Sequence, residues 1–129
     1  MPASNYLRGK IVDLVFRGVS YTPPSTIYVA LHTSDPTIAA ISTTEVSASW
    51  YARQAITFAA QTTAGQTSNS NTITFAGVTG SAVTVTNYSI WDAATLGNML
   101  ETGTLSASKT FNLTDVPSWL PGQLAITAT

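Results

Sequence analysis

Polar and apolar residues alternate along most of this chain, and one stretch near its start breaks the rhythm. Over SNYLRGKIVDLVFR, residues 4–17, a rotation of 100° per residue gathers Leu7, Ile11, Leu14 and Val15 into one stripe and sets Lys10, Asp13 and Arg17 opposite, which predicts an amphipathic α-helix. Val12 and Phe16 fall outside that stripe and make a second one, so the apolar arc is wider than packing on a single sheet requires. Ser4 supplies an N-cap hydroxyl and Gly18 a left-handed exit, so the helix is bounded at both ends. The expected packing lays Leu7, Ile11, Leu14 and Val15 on a sheet. Val12 and Phe16, with Arg8 near them, are then the candidate contact with another subunit or a larger assembly.

After Gly18 the period changes to two. Pro23 and Pro24 forbid further helix, and TIYVALHT, residues 26–33, predicts a strand with Ile27, Val29 and Leu31 inward and Tyr28, Ala30 and His32 outward. Residues 37–49 carry no useful period, and WYARQAITF, residues 50–58, predicts a second strand. The stretch AAQTTAGQTSNS, residues 59–70, is too polar to line a core and reads as a mobile loop. Ile73 and Phe75 mark a short strand ended by Gly77 and Gly80. Val83 and Val85 share one parity while Tyr88 and Ile90 take the other, which predicts a bulge or break near Asn87. Gly97-Asn98 closes a hairpin into MLETGTL, Phe111 and Leu113 mark another strand, and Pro117, Pro121 and Gly122 frame a loop around Trp119 and Leu120. Leu124, Ile126 and Ala128 form the last strand. About seven short strands behind one helix predict a mainly-β fold, an antiparallel β-sandwich in a single domain over residues 1–129.

Composition narrows the functions. The 129 residues include no cysteine, only 9% are charged and the net charge is −1, so thiolate chemistry is absent and no field attracts nucleic acid. Arg8, Lys10 and Arg17 share the helix without interleaved aromatics, as on a solvated face. No secretory signal and no membrane-spanning run stand out, so synthesis in a cytoplasm is expected. Strand faces carry Thr where Lys or Glu ordinarily discourage edge pairing, which suits a chain packed beside copies of itself.

No catalytic residue, metal ligand or cofactor motif emerges. His32 is the lone imidazole, with Asp35 nearby, and reads as a surface or interface histidine rather than half of a metal or acid–base pair. The carboxylates are scattered, and no serine sits in a nucleophile elbow. Tyr51, Trp91 and Trp119 are candidate aromatics for a sugar-binding platform, which requires their rings to be exposed.

Four segments in order, the helix followed by YTPPSTIYVALHTSDP, then EVSASWYARQAITF, NYSIWDAATLGNML and PGQLAIT, resemble the small structural proteins of tailed bacteriophages, often labelled tail fibre or virion structural protein. GSAVTVT, lacking an aromatic before the strand, and VPSWLPG depart from the pattern, at positions that bear on loops. The resemblance implies a non-enzymatic β-sandwich in the virus particle. The expectation drawn from it is a capsid decoration or cement protein on the head surface, a homo-oligomer, specifically a trimer, bridging the major capsid protein. The alternative is a tail-fibre or host-carbohydrate-binding adhesin module whose partners are tail proteins or a host surface glycan.

Overall fold

The computed structural model describes residues 2–128 of the chain. Ser4 Oγ accepts the Leu7 N–H at 3.1 Å and starts helix α1, Asn5–Arg17, which Gly18 ends at φ 68°. Both predicted caps are therefore in use. Eight strands follow among the described residues: β1 Ile27–His32, β2 Gln54–Ile56, β3 Gln66–Ser68, β4 Ile73–Thr74, β5 Val83–Trp91, β6 Met99–Phe111, β7 Ser118–Trp119 and β8 Ala125–Thr127. All pair antiparallel, as a four-stranded sheet in the order β2-β1-β5-β6 and two two-stranded ladders, β3-β8 and β4-β7.

Sheet and ladders close over one core. Val29, Leu31, Val85, Tyr88 and Ile90 from the sheet meet Ile73, Phe75, Trp119 and Leu124 from the segments opposite. Tyr88 spans the two sides and donates its hydroxyl hydrogen to the Ala125 carbonyl at 2.7 Å. The predicted irregularity on β5 is present: the β5–β6 register shifts between Val85 and Asn87, and Asn87 through Trp91 are all buried.

Several strand expectations change, each for a local reason. β1 lies between β2 and β5, and its second face is covered by Trp91, Met99 and Ala40, so Ala30 and His32 are buried rather than outward. The segment read as a loop contains β3, whose Gln66, Thr67 and Ser68 pair with Thr127, Ile126 and Ala125 through backbone bonds that apolar periodicity does not register. β6 runs on to Phe111, absorbing the strand expected there, and Trp119 belongs to β7 rather than to a loop. Of residues 50–58 only Gln54–Ile56 form a strand.

The largest departure concerns α1, which buries none of its residues. Its less exposed positions are Tyr6, Leu7, Lys10 and Asp13, whereas Ile11 is 47%, Val12 50%, Leu14 46%, Val15 63% and Phe16 78% exposed. Tyr6 and Leu7 alone reach the core, and at 100° per residue the half-covered side is centred near Lys10. Lys10 is covered by the Tyr6 ring and Asp13 by its Arg17 partner within the helix, so only the Tyr6–Leu7 end meets the body and the apolar side chains from Ile11 to Phe16 are left open. The expectation that Ile11, Leu14 and Val15 lie on a sheet is overturned. Anchorage at one end explains this: Ser4 N–H donates to Leu100 O at 2.9 Å, Asn5 N–H to Ile38 O at 2.9 Å, and Ser4 Oγ to Met99 O. Those bonds fix the first turn, and its orientation sends the later turns clear of the sheet.

Candidate functional site

Glu45 and Arg53 are the only charged residues between Asp35 and Asp92, and the fold brings them together. The connection between β1 and β2 doubles back along β1, with Val46 N–H bonded to Leu31 O at 2.9 Å, so Glu45 faces the segment entering β2. Arg53 Nε and Nη2 each donate to one Glu45 oxygen at 2.8 Å, a bidentate pair whose side chains are 7% and 15% exposed. Arg53 Nη1 donates to Ala93 O and Leu96 O at 3.0 and 2.9 Å, and the guanidinium lies 3.8 Å over the Trp91 ring. Tyr51 Oη donates to Glu45 Oε1 at 2.7 Å and accepts Leu31 N–H. Burial alone would raise the Glu45 carboxyl; its bonds to Arg53 and Tyr51 outweigh that and hold it below its ordinary value. Burial, with Glu45 adding, pushes the Tyr51 hydroxyl far up, so it remains a donor.

His32 extends the same network inward. Thr44 Oγ1 donates to Ile41 O, so it accepts from His32 Nδ1–H at 2.8 Å; Ser89 Oγ, 2.6 Å from Nε2, receives Trp91 Nε1–H and spends its own proton on the imidazole. His32 is neutral, and burial lowers its pKa to about 4. Ser89 beside His32 has the spacing of an activated nucleophile, yet both are 0% exposed and no substrate reaches them in this arrangement. With both ring nitrogens committed, His32 is neither a surface residue nor a free ligand. The described residues contain no cluster of three or more metal-ligating side chains. A second buried acid, Glu101 on β6, is 6% exposed with Oε1 unpartnered among the described residues, and burial raises its pKa to about 7.

A cleft of about 850 Å³ opens beside this network at the foot of α1, walled by Tyr6, Ile38, Ala40, Trp91, Leu96 and Met99. One wall is the β5–β6 hairpin, where Asp92 carboxylate oxygens accept Asn98 N–H at 2.7 Å and Nδ2–H at 2.9 Å. Gly97 is needed there: its φ is 76°, and a Cβ would collide with Asp92 Oδ1 and Ala93 Cβ. Arg53 lines the cleft with four of its five N–H donors committed to Glu45 and the two carbonyls.

The aromatic candidates do not form an exposed platform. Trp91 is 4% and Trp119 3% exposed; Arg53 covers Trp91, while Phe75 and Phe111 meet Trp119 edge-on with ring centroids 6.0 Å away. Tyr51 stacks on Phe75 at 5.9 Å. The interface candidates fare differently, because Arg8, Val12 and Phe16 are all exposed on α1. Sequence reasoning missed the Glu45–Arg53 lock, although two opposite charges isolated in an uncharged stretch were its signal.

A protein-family model described as podophage GP4 fiber I protein gp80 matches residues 2–127. The chain belongs to this family. Membership makes it a bacteriophage structural protein of the fibre type. Among curated proteins no relative matches it. No helix of the described residues is long and apolar enough to cross a membrane.

Proposed function

We propose that this protein is a non-enzymatic tail-fibre subunit that joins its virion neighbour through the outward side of α1. The observation that carries the reading is the uncovered helix: Ile11, Val12, Leu14, Val15 and Phe16 are all in solvent. A soluble monomer gains nothing by that orientation, since apolar side chains gain free energy only when water is removed from them. The family description names a fibre, which favours the tail over a cement role on the head and a tail protein over the major capsid protein as neighbour. Burial of Trp91 and Trp119 removes the ring faces on which a host glycan would stack, which disfavours the adhesin version at those residues.

Within α1, Val12 and Phe16 with Arg8 are the proposed virion contact. Burying Phe16 contributes about 2 kcal/mol, so Phe16→Asp is expected to cut incorporation into particles by roughly 30-fold while the free protein's unfolding midpoint stays where it was. Particles assembled with the variant and scored for this chain on a gel check it. Wild-type incorporation would return Phe16 to an idle surface position.

A further inference from the structure

We propose that Glu101 is a proton-operated latch on the N-terminal arm: with its carboxyl protonated, residues 2–4 stay docked on β6 and hold the foot of α1, and with the carboxyl ionised the arm lifts. β6 is an edge strand of the four-stranded sheet, and the arm pairs with its outer side. Ala3 forms an antiparallel bridge with Glu101, and the bonds on either side of that bridge are Ser4 N–H to Leu100 O at 2.9 Å and Thr102 N–H to Pro2 O at 3.3 Å. Docking therefore turns an edge position into an interior one.

Glu101 is badly placed for a charge. It pairs with Ile90 of β5, and residues directly opposite in an antiparallel ladder share a face, so its side chain lies on the side that carries the core. The residue is 6% exposed, and its Oε1 has no hydrogen-bond partner among the described residues. A carboxylate in such a place costs more than the neutral acid does. Few groups offset that. On α1, which packs against β6, Arg8 is exposed, Lys10 lies over the Tyr6 ring and Asp13 is paired with Arg17. Tyr88 on β5 donates to Ala125 O, and its hydroxyl is pushed up to about 12 by burial first and by Glu101 second. The amino terminus favours the ionised carboxylate, but burial outweighs it. Lifting the arm returns Glu101 to an open sheet edge, where the ordinary value of 4.5 applies, whereas the docked carboxyl holds its proton up to about 7. Docking is then strongest below pH 4.5 and weakens as the pH rises to about 7.

Amide exchange of the full-length chain, followed by NMR with each rate divided by its intrinsic value, reads the latch. Protection at Ser4, Asn5 and Thr102 is expected to fall roughly 30-fold between pH 5.5 and pH 8.5, the change that carboxyl values of about 7 docked and 4.5 lifted impose over that interval. At each pH these amides are expected to exchange about tenfold or more faster than those of Val46 and Phe75, because the arm opens while the body stays closed. Glu101→Gln keeps the shape without the charge and is expected to retain the low-pH protection throughout. The amino terminus also titrates in this interval and is untouched in that variant, so a pH dependence surviving there would overturn the assignment to Glu101. Unchanged protection in the parent chain, or arm and core amides exchanging together, would overturn the latch itself. Carboxyl-carbon shifts of the parent chain give a check that needs no variant: Glu101 is expected to titrate near 7, and a midpoint near 4.5 would reject the proposal.

Discussion

Arg53→Ala is expected to lower the stability of the isolated protein by about 3–5 kcal/mol, read from the urea midpoint at neutral pH. The variant leaves the Glu45 carboxylate, largely buried, with only the Tyr51 hydroxyl as partner and strips the carbonyls of Ala93 and Leu96 of their donor. An uncompensated buried charge costs more than the pair contributes, so the loss exceeds that of an exposed ion pair such as Asp13–Arg17, where about 0.5 kcal/mol is the ceiling. Arg53→Lys is expected to recover little, because an ammonium cannot span both Glu45 oxygens while lying flat on Trp91. A loss below about 1 kcal/mol would mean that the cleft wall stands without the lock.

Trp119→Ala is expected to cost a similar 3–5 kcal/mol, because it empties a buried site between Phe75 and Phe111. This prediction separates the two roles considered for that ring. A sugar-stacking tryptophan is exposed and can be removed with a change below about 0.5 kcal/mol, whereas a core tryptophan cannot. Calorimetric melting of the variant decides between them: a melting temperature close to that of the parent protein would restore the platform.

The helix, its caps, the strand nature of 27–32 and the slip in parity near Asn87 were all legible in the sequence, because caps and periodicity are local properties. What escaped was set by distant partners. Gln66–Ser68 pairs with β8 through backbone bonds alone, and polar side chains carry no trace of them. His32 sits at an outward parity that a second layer of Trp91 and Met99 happens to cover. The orientation of α1 was misjudged for a related reason: amphipathicity says that one side seeks burial, not that this chain provides the burial. Arg8, Val12 and Phe16 were identifiable as a face apart from the main stripe; that Ile11, Leu14 and Val15 of the main stripe are also free could be learned only from where Ser4 anchors the first turn.

These features describe a β-body locked by one buried charge pair and a helix whose apolar side chains from Ile11 to Phe16 stay exposed, the proposed joint with a neighbour. Reconstruction of the virion by electron microscopy tests this most directly. A small number of copies at the tail is expected, with the apolar arc of α1 enclosed by neighbouring chains. Copies distributed over the head shell, or an α1 surrounded by solvent in the assembled particle, would contradict it.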